Sequence, residues 1–377
     1  MENMKTSALD SFYVNDLRGE LLKSIVELEK EFQAEKDIWK ARCLDSFGGI
    51  FKTIQRKQDE GSAPKASFLV YTLLRTNLMQ GKEEYAVFLY DDEWYLGNPV
   101  KVGEMDVSHV YRHRQKLHNR LKECVRKYML NLTAIDVDTA AMSILNYYHQ
   151  YVVGQLRYSI ADVLGMDEFK RIKKAGSFEI LSGEYNESCD LICKYTQEDE
   201  FAETLKDIRA NKYSEYICRD MSDIILANMN LRYLDFSFSI LNGATLNNAD
   251  ISGGRLAETK FRGADMKNTN FGNADIHGTD FSQGNLEGAV FDECMAFTGK
   301  DLLGVWENAG YTNAKFNGSI LKGAGFRNAL LLGADFRGAD LENADFEGAC
   351  VNGAIFNKKH LEHLNFSKTQ LKSIKTE

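Results

Sequence analysis

A five-residue period in the second part of the chain constrains the fold more than any other feature. From Leu226 to Phe291 every fifth residue is large and apolar, and the same frame resumes at Phe316 and runs to Leu371. A small residue, most often Ala, lies two positions before most of these residues. A helix repeats about every 3.6 residues and a strand every 2, so neither places every fifth side chain on one side. The pattern therefore predicts a solenoid built from short repeats.

The period also predicts how the solenoid coils. Four five-residue walls close one square coil, and each wall sends a large and a small side chain inward. Gly and Asn recur two positions after the large residue, as at Gly263 and Asn268, and both favour the tight turns expected at corners. Side chains one coil apart should stack on one wall. The expected pairs are Asp265 with Asn285, Asp275 with Arg255, and Asp280 with Lys260.

The clearest repeats are Gly333-Ala334-Asp335-Phe336-Arg337 and Gly338-Ala339-Asp340-Leu341-Glu342. They resemble the pentapeptide-repeat family, whose signature is A-[DN]-L-x-x. The resemblance implies an all-β right-handed quadrilateral β-helix for residues 220–377. The resemblance indicates little about function. Known members include quinolone-resistance proteins that resemble double-stranded DNA and bind gyrase or topoisomerase IV, and many others have no assigned role. In the DNA-like members, loops that project from the rod look essential, and the C-terminal coils dimerise.

Residues 1–219 lack the period and predict a separate α+β domain, mainly helical with a β-hairpin. Apolar spacing predicts a helix over 17–42, and Gly48 and Gly49 should break the chain after it. Residues 85–90 and 93–96 flank Asp91-Asp92, which is typical of a hairpin. Further helices are predicted at 107–130, 138–164 and 198–210, with strands at 177–181 and 189–195. This part of the chain resembles no family known to us.

Composition excludes several functional classes. A net charge of −9 argues against general affinity for the nucleic-acid backbone. No apolar run is long enough for a transmembrane helix, and no signal region opens the chain. The seven cysteines are scattered without a CxxC pair, which favours a reducing compartment. We therefore expect a cytoplasmic protein that contacts neither nucleic acid nor membrane directly.

Catalytic motifs are missing from the sequence. There is no Walker A, GxGxxG, GxSxG or HExxH pattern, and a solenoid filled with side chains leaves no cavity for a substrate. We expect no cofactor, no bound metal and no catalytic residue, so an enzymatic role is open but disfavoured. His109 and His113 have a spacing compatible with a metal on a helix, but without a third ligand they are interpreted as surface residues.

The predicted helix at 107–130 is strongly basic. Its cationic residues are Arg112, Arg114, Lys116, Arg120, Arg126 and Lys127. One interpretation is a solvated helix face, a second is a contact for phosphate or an acidic partner, and a third is a contact with the acidic β-helix.

The five-residue period lapses over 292–311, one coil's length, so register alone does not distinguish a distorted coil from a functional loop. The candidate binding residues of this segment are Asp301, Leu303, Val305, Trp306 and Tyr311.

The chain ends soon after the last repeat. Because a solenoid exposes apolar side chains and unpaired strand groups at its ends, and few residues follow Leu371, we expect no capping helix. The last coil should instead pair with a second copy in a two-fold dimer. The expected interface residues are Phe356, Leu361, Leu364, Phe366 and Leu371. The alternative is a polar end formed by Lys368, Lys372 and Lys375.

Together these features favour a non-enzymatic protein-binding or scaffold protein that uses the β-helix surface. Its partner would be a protein, and a type II topoisomerase is one candidate. The leading alternative is a DNA-mimicking ligand that inhibits gyrase or topoisomerase IV. A second alternative is an enzyme or toxin in residues 1–219, with the β-helix as its targeting arm.

Overall fold

The computed structural model describes residues 2–128, 131–185, 187–196, 198–210, 215–296, 312–361 and 363–377. Contacts divide the chain into two compact units, Met1–Lys173 with Leu181–Asp190, and Lys174–Ile180 with Leu191–Glu377. The sequence pattern places the domain boundary between residues 219 and 220, where the repeats begin. Contacts also assign the residues from 191 to 219 to the unit that holds the repeats.

Most of the first unit is helical. Its helices are α1 (Glu2–Ser11), α2 (Arg18–Asp59), α3 (Arg75–Met79), α4 (Ser108–Val125), α5 (Ala134–Ser143), α6 (Leu145–Gly165) and α7 (Asp167–Arg171). A π-helical turn, Phe12–Leu17, joins α1 to α2, and a 3-10 turn, Arg126–Tyr128, follows α4. The helix expected over 138–164 is interrupted near Ile144, where α5 ends and α6 begins.

Helix α2 continues through Gly48 and Gly49, so the predicted break there is wrong. Glycine lowers helix stability by about 1 kcal/mol relative to alanine, which tertiary packing can offset. Such packing is present, because a Cβ at Gly48 would lie 3.3 Å from Met166 Cε. Ile50 and Phe51, which follow the glycines, are buried. Close packing thus stabilises helix α2 across two glycines that would normally end a helix.

The strands are β1 (Ala66–Leu73), β2 (Glu84–Tyr90), β3 (Val100–Asp106), β4 (Lys174–Glu184) and β5 (Cys189–Thr196). The sheet order is β3-β2-β1-β4-β5. Strand β2 runs antiparallel to β1, with Val87 opposite Tyr71, and antiparallel to β3 with a register shift after Val87.

The predicted hairpin is correct in its first strand and wrong in its second. Trp94–Leu96 forms a 3-10 turn, and the partner strand begins only at Val100. The Trp94 ring packs on Phe68 at 4.1 Å and on Tyr90 at 5.4 Å between ring centroids. These contacts hold residues 94–96 against the sheet as a turn. Pairing with β2 therefore begins only at Val100.

In the second unit, helix α8 (Glu198–Arg209) is followed by the repeats, which contain the short strands β6 (Met295–Ala296) and β7 (Leu330–Leu331). Parallel bridges join each wall residue to its equivalent one coil later, as from Asp265 to Asn285, a separation of 20 residues. The large residue of every repeat from Leu226 to Phe356 is buried in one continuous core. The repeats therefore form a β-helix, as the five-residue period predicts. The three stacked pairs expected from the sequence are all bridged.

Phenylalanine rings fill much of the β-helix interior. One stack runs from Phe261 to Phe356 and another from Phe271 to Phe346, with parallel rings 4.7–5.5 Å apart in each stack. Rings of the two stacks meet edge to face, as Phe281 and Phe291 do at 5.4 Å and 81°. Such offset and edge-to-face pairs are the preferred aromatic geometries. The interior is thus closed to ligands along the described coils.

Corner residues adopt positive φ, as the Gly and Asn pattern predicts. Gly263 has φ 68° and Asn268 has φ 56°. These residues tolerate the left-handed region better than other types. Larger side chains also occupy it at a few corners, among them Tyr233 and Glu258.

Both ends of the described β-helix are covered by this chain. At the start, Ile208 of α8 belongs to the same buried core as the repeats. At the other end lie β8 (Ile355–Phe356), a 3-10 turn (Lys358–His360), α9 (Lys368–Ser373) and β9 (Lys375–Thr376), with β8 and β9 parallel. The expectation that no capping helix could form is therefore wrong.

The cap is short but well bonded. Gln370 Nε2 donates to the carbonyl oxygens of Phe346 and Ala349, each at 2.9 Å, and a capping box with Ser367 fixes the start of α9. A six-residue helix suffices because one side-chain amide satisfies two carbonyls of the last coil.

No helix among the described residues is long and apolar enough to cross a membrane.

Candidate interaction surface of the β-helix

The lapse in the period is an insertion into the ladder. Bridged residues are 20 apart on either side of it, whereas Asp292 bonds to Arg327, 35 residues later. The two strands β6 (Met295–Ala296) and β7 (Leu330–Leu331) pair across the same step. Among the described residues, the ladder thus continues to Ala296 and resumes after Thr312. The candidate residues Asp301, Leu303, Val305, Trp306 and Tyr311 lie outside the described residues.

One wall of the β-helix, which we call the third wall, ends at this insertion. Its outward residues change from charged to apolar along the length of the wall. Its outward bridge residues are, in order, Glu215, Asp235, Arg255, Asp275, Met295, Leu330 and Cys350. The first half is charged: Arg255 Nε lies 3.6 Å from Asp235 Oδ2, and Asp275 contacts His277. The second half is apolar.

The apolar half forms a strip of Met295, Leu330, Leu332 and Cys350, which we call the apolar strip. Met295 is 39% exposed, and the other three side chains are half-buried. Met295 pairs with Leu330, and Leu332 N donates to Ala296 O at 3.0 Å. The strip therefore lies on consecutive coils at the point where the chain leaves the ladder.

Elsewhere on the β-helix many of the exposed charges are paired. Examples are Lys267 with Glu287 at 3.0 Å, Lys322 with Glu342 at 2.8 Å, and Arg327 with Asp345 at 2.7 Å. Asp335 bonds Arg337 at 2.6 Å. Burial raises the pKa of Asp335, but the hydrogen bond from Arg337 and other contacts outweigh it and hold the pKa below its ordinary value. The described walls thus carry mixed charge rather than a continuous acidic face.

A buried polar network lies where the chain rejoins the ladder. Glu258 accepts hydrogen bonds from Thr312 N and Thr312 Oγ1, and it also pairs with Lys260. Glu258 and Lys260 are each 7% exposed and Thr312 is 1% exposed. Neither this network nor the apolar strip was predicted from the sequence. The available signals were a Glu at a corner position and apolar residues at positions that point outward.

The basic segment, α4 and the 3-10 turn that follows it, places most of its cations beside acidic residues of the first unit. Arg112 pairs with Glu31, Arg120 with Glu20 at 2.9 Å, Arg126 with Glu123 at 2.7 Å, and Lys127 with Asp16 at 2.6 Å. Arg114 lies near Ala141 and Met142, and Lys116 is exposed. Most cations of this segment are thus matched by carboxylates, from helix α4 itself at Glu123 and otherwise from the amino-terminal helical segments.

The interpretation of His109 and His113 as surface residues is wrong, since each is 3% exposed. His109 Nε2 contacts Gln155 Oε1 at 2.7 Å and His113 Nε2 contacts Glu31 Oε2 at 3.1 Å. Burial lowers the pKa of both imidazoles. Within the described residues, no group of three or more His, Cys, Asp or Glu could hold a metal ion.

The first unit holds a polar cavity of about 540 Å³ lined by His149, Arg75, Glu184 and Asp190. His149 Nδ1 hydrogen-bonds Tyr85 Oη at 2.8 Å, its Nε2 lies 3.3 Å from Asp190 Oδ2, and Tyr85 bonds Tyr111 at 2.8 Å. Burial raises the pKa of both tyrosines, and both are fully buried. These hydroxyls therefore stay protonated and out of reach of a substrate.

The predicted dimer residues have different environments. Phe356 and Leu364 are buried within the chain, whereas Leu371 is 43% exposed. Leu361 and Phe366 are half-buried against the core. Dimerisation was expected because the last coil would be uncapped, but α9 covers this end. Dimerisation through this end stays a prediction.

These features define the repeats of the second unit as a β-helical solenoid of five-residue repeats with many of its charges paired along the walls. The family of pentapeptide repeats matches it in eight copies, over residues 220–256, 255–293 and 319–357. The carboxy-terminal part of this chain is therefore a pentapeptide-repeat region. The gap between the second and third matched stretches contains the insertion.

Solved structures of this kind also match. They include the pentapeptide-repeat protein Rfr23 from the cyanobacterium Cyanothece 51142, with 17% identity, 40% of this chain and 95% of that chain covered, and a TM-score of 0.20. HetL from Nostoc sp. strain PCC 7120, a protein involved in heterocyst differentiation regulation, has 19% identity, 41% and 96% coverage, and a TM-score of 0.13.

QnrB1, a plasmid-mediated fluoroquinolone resistance protein, has 16% identity, 43% and 93% coverage, and a TM-score of 0.21. A comparison with curated proteins gives no match. At these identities and TM-scores the likenesses carry no argument about function.

Proposed function

We propose that this protein is a non-enzymatic binding protein that contacts another protein through its β-helix, at the apolar strip and the adjoining segment 297–311. The observation that carries the proposal is the apolar strip. Exposed apolar side chains that adjoin one another often mark protein contacts, whereas isolated ones need no explanation. On this β-helix, Met295, Leu330 and Leu332 adjoin one another, whereas many charged residues elsewhere on the walls are paired.

The partner expected is a protein that presents apolar side chains to the strip. Its rim would be polar, because Asp292 and Arg327 flank the strip on the preceding wall. Interfaces of this kind combine a small apolar centre with a polar surround.

The test compares charge substitutions at two apolar positions on the outer walls of the β-helix. Leu330→Asp places a carboxylate in the strip, and Ile225→Asp makes the same change at a wall residue that is 61% exposed and many coils away. Proteins captured by each variant and by the unchanged chain are quantified by mass spectrometry, and circular dichroism confirms folding. A partner retained by Ile225→Asp and lost by Leu330→Asp supports the proposal. Equal capture by all three forms contradicts it.

Mimicry of DNA toward gyrase or topoisomerase IV is the first alternative. It would require closely spaced, unpaired carboxylates along one face, and the ion pairs of Lys267, Lys322 and Arg327 count against such a face. An enzyme or toxin in the first unit is the second alternative. The polar cavity at His149 would be its site, since the hydroxyl groups of Thr139, Ser143 and Ser188 also line it. His149 Nδ1 itself bonds Tyr85, which is buried away from the cavity surface.

A further inference from the structure

Glu258 occupies a corner where its residue type is unfavourable. Its φ is 56°, in the left-handed region that disfavours residues with a long side chain. The side chain is also removed from water, with 7% exposure. A buried carboxylate in a strained backbone conformation persists only where its surroundings compensate for both costs.

The compensation comes from Thr312 and Lys260. Glu258 Oε1 accepts Thr312 N at 2.5 Å and Thr312 Oγ1 at 2.9 Å, and Oε2 accepts Lys260 Nζ at 3.0 Å. Bonds to an ionised acceptor are stronger than those between neutral groups. The carboxylate is thus held by three donors, two of which belong to one residue distant in the chain.

Gly278 provides the room for this contact. It occupies the corner one coil after Glu258, and a Cβ there would lie 2.1 Å from Glu258 Oε1 and 3.0 Å from Thr312 O. Any larger residue at 278 would push the carboxylate away from Thr312. Glu258, Gly278 and Thr312 therefore belong to three successive coils, and the Glu258 side chain crosses the middle one.

Thr312 is the first described residue after the insertion. Three residues later, Lys315 N donates to Thr279 O at 2.9 Å and Lys315 bridges Asp280, so the ladder has resumed. Glu258 consequently holds the point at which the chain rejoins the β-helix. The third wall, with the apolar strip, ends at this same corner.

We propose that Glu258 is a positioning residue: it fixes the return of the chain at Thr312, and partner binding beside the apolar strip depends on it although it does not touch the partner. This inference rests on the proposed function. Gly278 serves the same arrangement by leaving the path of the carboxylate open.

The first experiment needs no partner. Hydrogen–deuterium exchange of the Thr312 amide is measured in the full chain and in Glu258→Ala. We expect exchange at Thr312 to accelerate at least tenfold in the variant, because the amide loses its buried acceptor, while Lys315 keeps its protection. Glu293→Ala is the matched control, since Glu293 is also a corner glutamate, with φ 59°, but is exposed. It should leave Thr312 unchanged.

Two milder variants guard against misfolding. Gly278→Ala should accelerate exchange at Thr312 by displacing the carboxylate of Glu258. Thr312→Val removes the hydroxyl but should keep the hydrogen bond from the residue 312 amide to Glu258, and with it much of the protection of that amide from exchange. Unchanged exchange at residue 312 in both Glu258→Ala and Gly278→Ala would overturn the proposal.

The second experiment measures capture of the partner by Glu258→Ala. A loss of about tenfold, with Thr312 deprotected, supports the positioning role. Full capture despite a deprotected Thr312 overturns it, and leaves the proposed function standing. If the unchanged chain captures no partner, the proposed function fails, and the dependence of binding on Glu258 falls with it; the exchange result then shows separately whether the anchor exists.

Discussion

The rings of Phe281 and Phe316 stack with their centroids 5.1 Å apart and their planes 12° from parallel. The insertion lies between them in the chain, yet the stack continues to Phe336 and Phe356 with similar spacing. The core of the β-helix is therefore continuous across the insertion, and the coils on either side support each other.

Removing one ring from this stack should be costly. Phe316→Ala is expected to lower the free energy of unfolding by about 3–5 kcal/mol, since a large buried side chain is replaced by a cavity. Urea denaturation followed by circular dichroism measures the change. Phe316→Leu serves as the control and should lose much less. A loss below about 1 kcal/mol in the alanine variant would mean that the ring is not packed as described.

Deleting residues 297–311 and joining Ala296 to Thr312 should leave the β-helix folded. In the register of the β-helix these two residues already occupy consecutive positions. Shortening a connection also changes the entropy of loop closure only slightly. We expect a cooperative urea transition within about 1 kcal/mol of the parent chain. Disappearance of that transition would show that the coils need the insertion. Under the proposed function, the same variant should bind its partner more weakly.

The DNA-mimic alternative can be separated from the proposal by a gyrase supercoiling assay with and without quinolone. We expect no inhibition and no protection at high protein excess, because the walls carry mixed charge and many of their carboxylates are paired with cations. The intact chain is compared with the deletion variant. Inhibition or protection by the intact chain alone would replace our proposal with the topoisomerase alternative.

Stability of the β-helix should fall in acid partly through Asp280. Burial raises the pKa of Asp280, but the hydrogen bond from Ser282 and the charges of Lys260 and Lys315 outweigh it and hold the pKa below its ordinary value. The ionised form is thus favoured by folding. Its contribution is present above the ordinary carboxyl pKa of about 3.9 and is lost as pH falls through that value toward the lower folded-state pKa.

Asp280→Asn should therefore be less stable than the parent near neutral pH, and its stability should fall less between neutral pH and pH of about 3. Urea midpoints across this range measure both effects. Parallel curves for the two proteins would show that Asp280 does not contribute to the acid sensitivity.

The C-terminal cap should depend on one amide. Gln370→Ala leaves the carbonyls of Phe346 and Ala349 without their side-chain donor and is expected to cost about 1–2 kcal/mol. The amide of Gly353, which bonds Ser373 O at 2.8 Å, should exchange faster. Lys372→Ala, an exposed change on the same short helix, should have little effect. Equal stability of the two variants would argue against the cap.

The repeat region was predictable because its signal is local and redundant. Each coil repeats the demand for an inward residue such as Phe281 and a corner such as Gly263, so single departures do not hide the period. Gly48 was misleading because a helix-breaking tendency of about 1 kcal/mol is decided by distant packing, here against Met166. His109 and His113 were misplaced for a related reason: a strongly basic helix looks solvated until its acidic neighbours are known.

The candidate site was less predictable. The lapse at 292–311 adjoins the apolar strip, but its length of one coil concealed that the described ladder continues to Ala296 and resumes after Thr312. The contact between Glu258 and Thr312 joins residues 54 apart and has no periodic signature. The apolar strip depends on which outward positions become neighbours after coiling across the insertion.

The change of step from 20 to 35 residues has a consequence for how such proteins diversify. A coil that closes in the same register with or without additional chain lets an insertion be gained, lost or exchanged at one corner while the remaining coils keep their neighbours. Recognition can then evolve at the corner under one selection, and the length and stability of the rod under another.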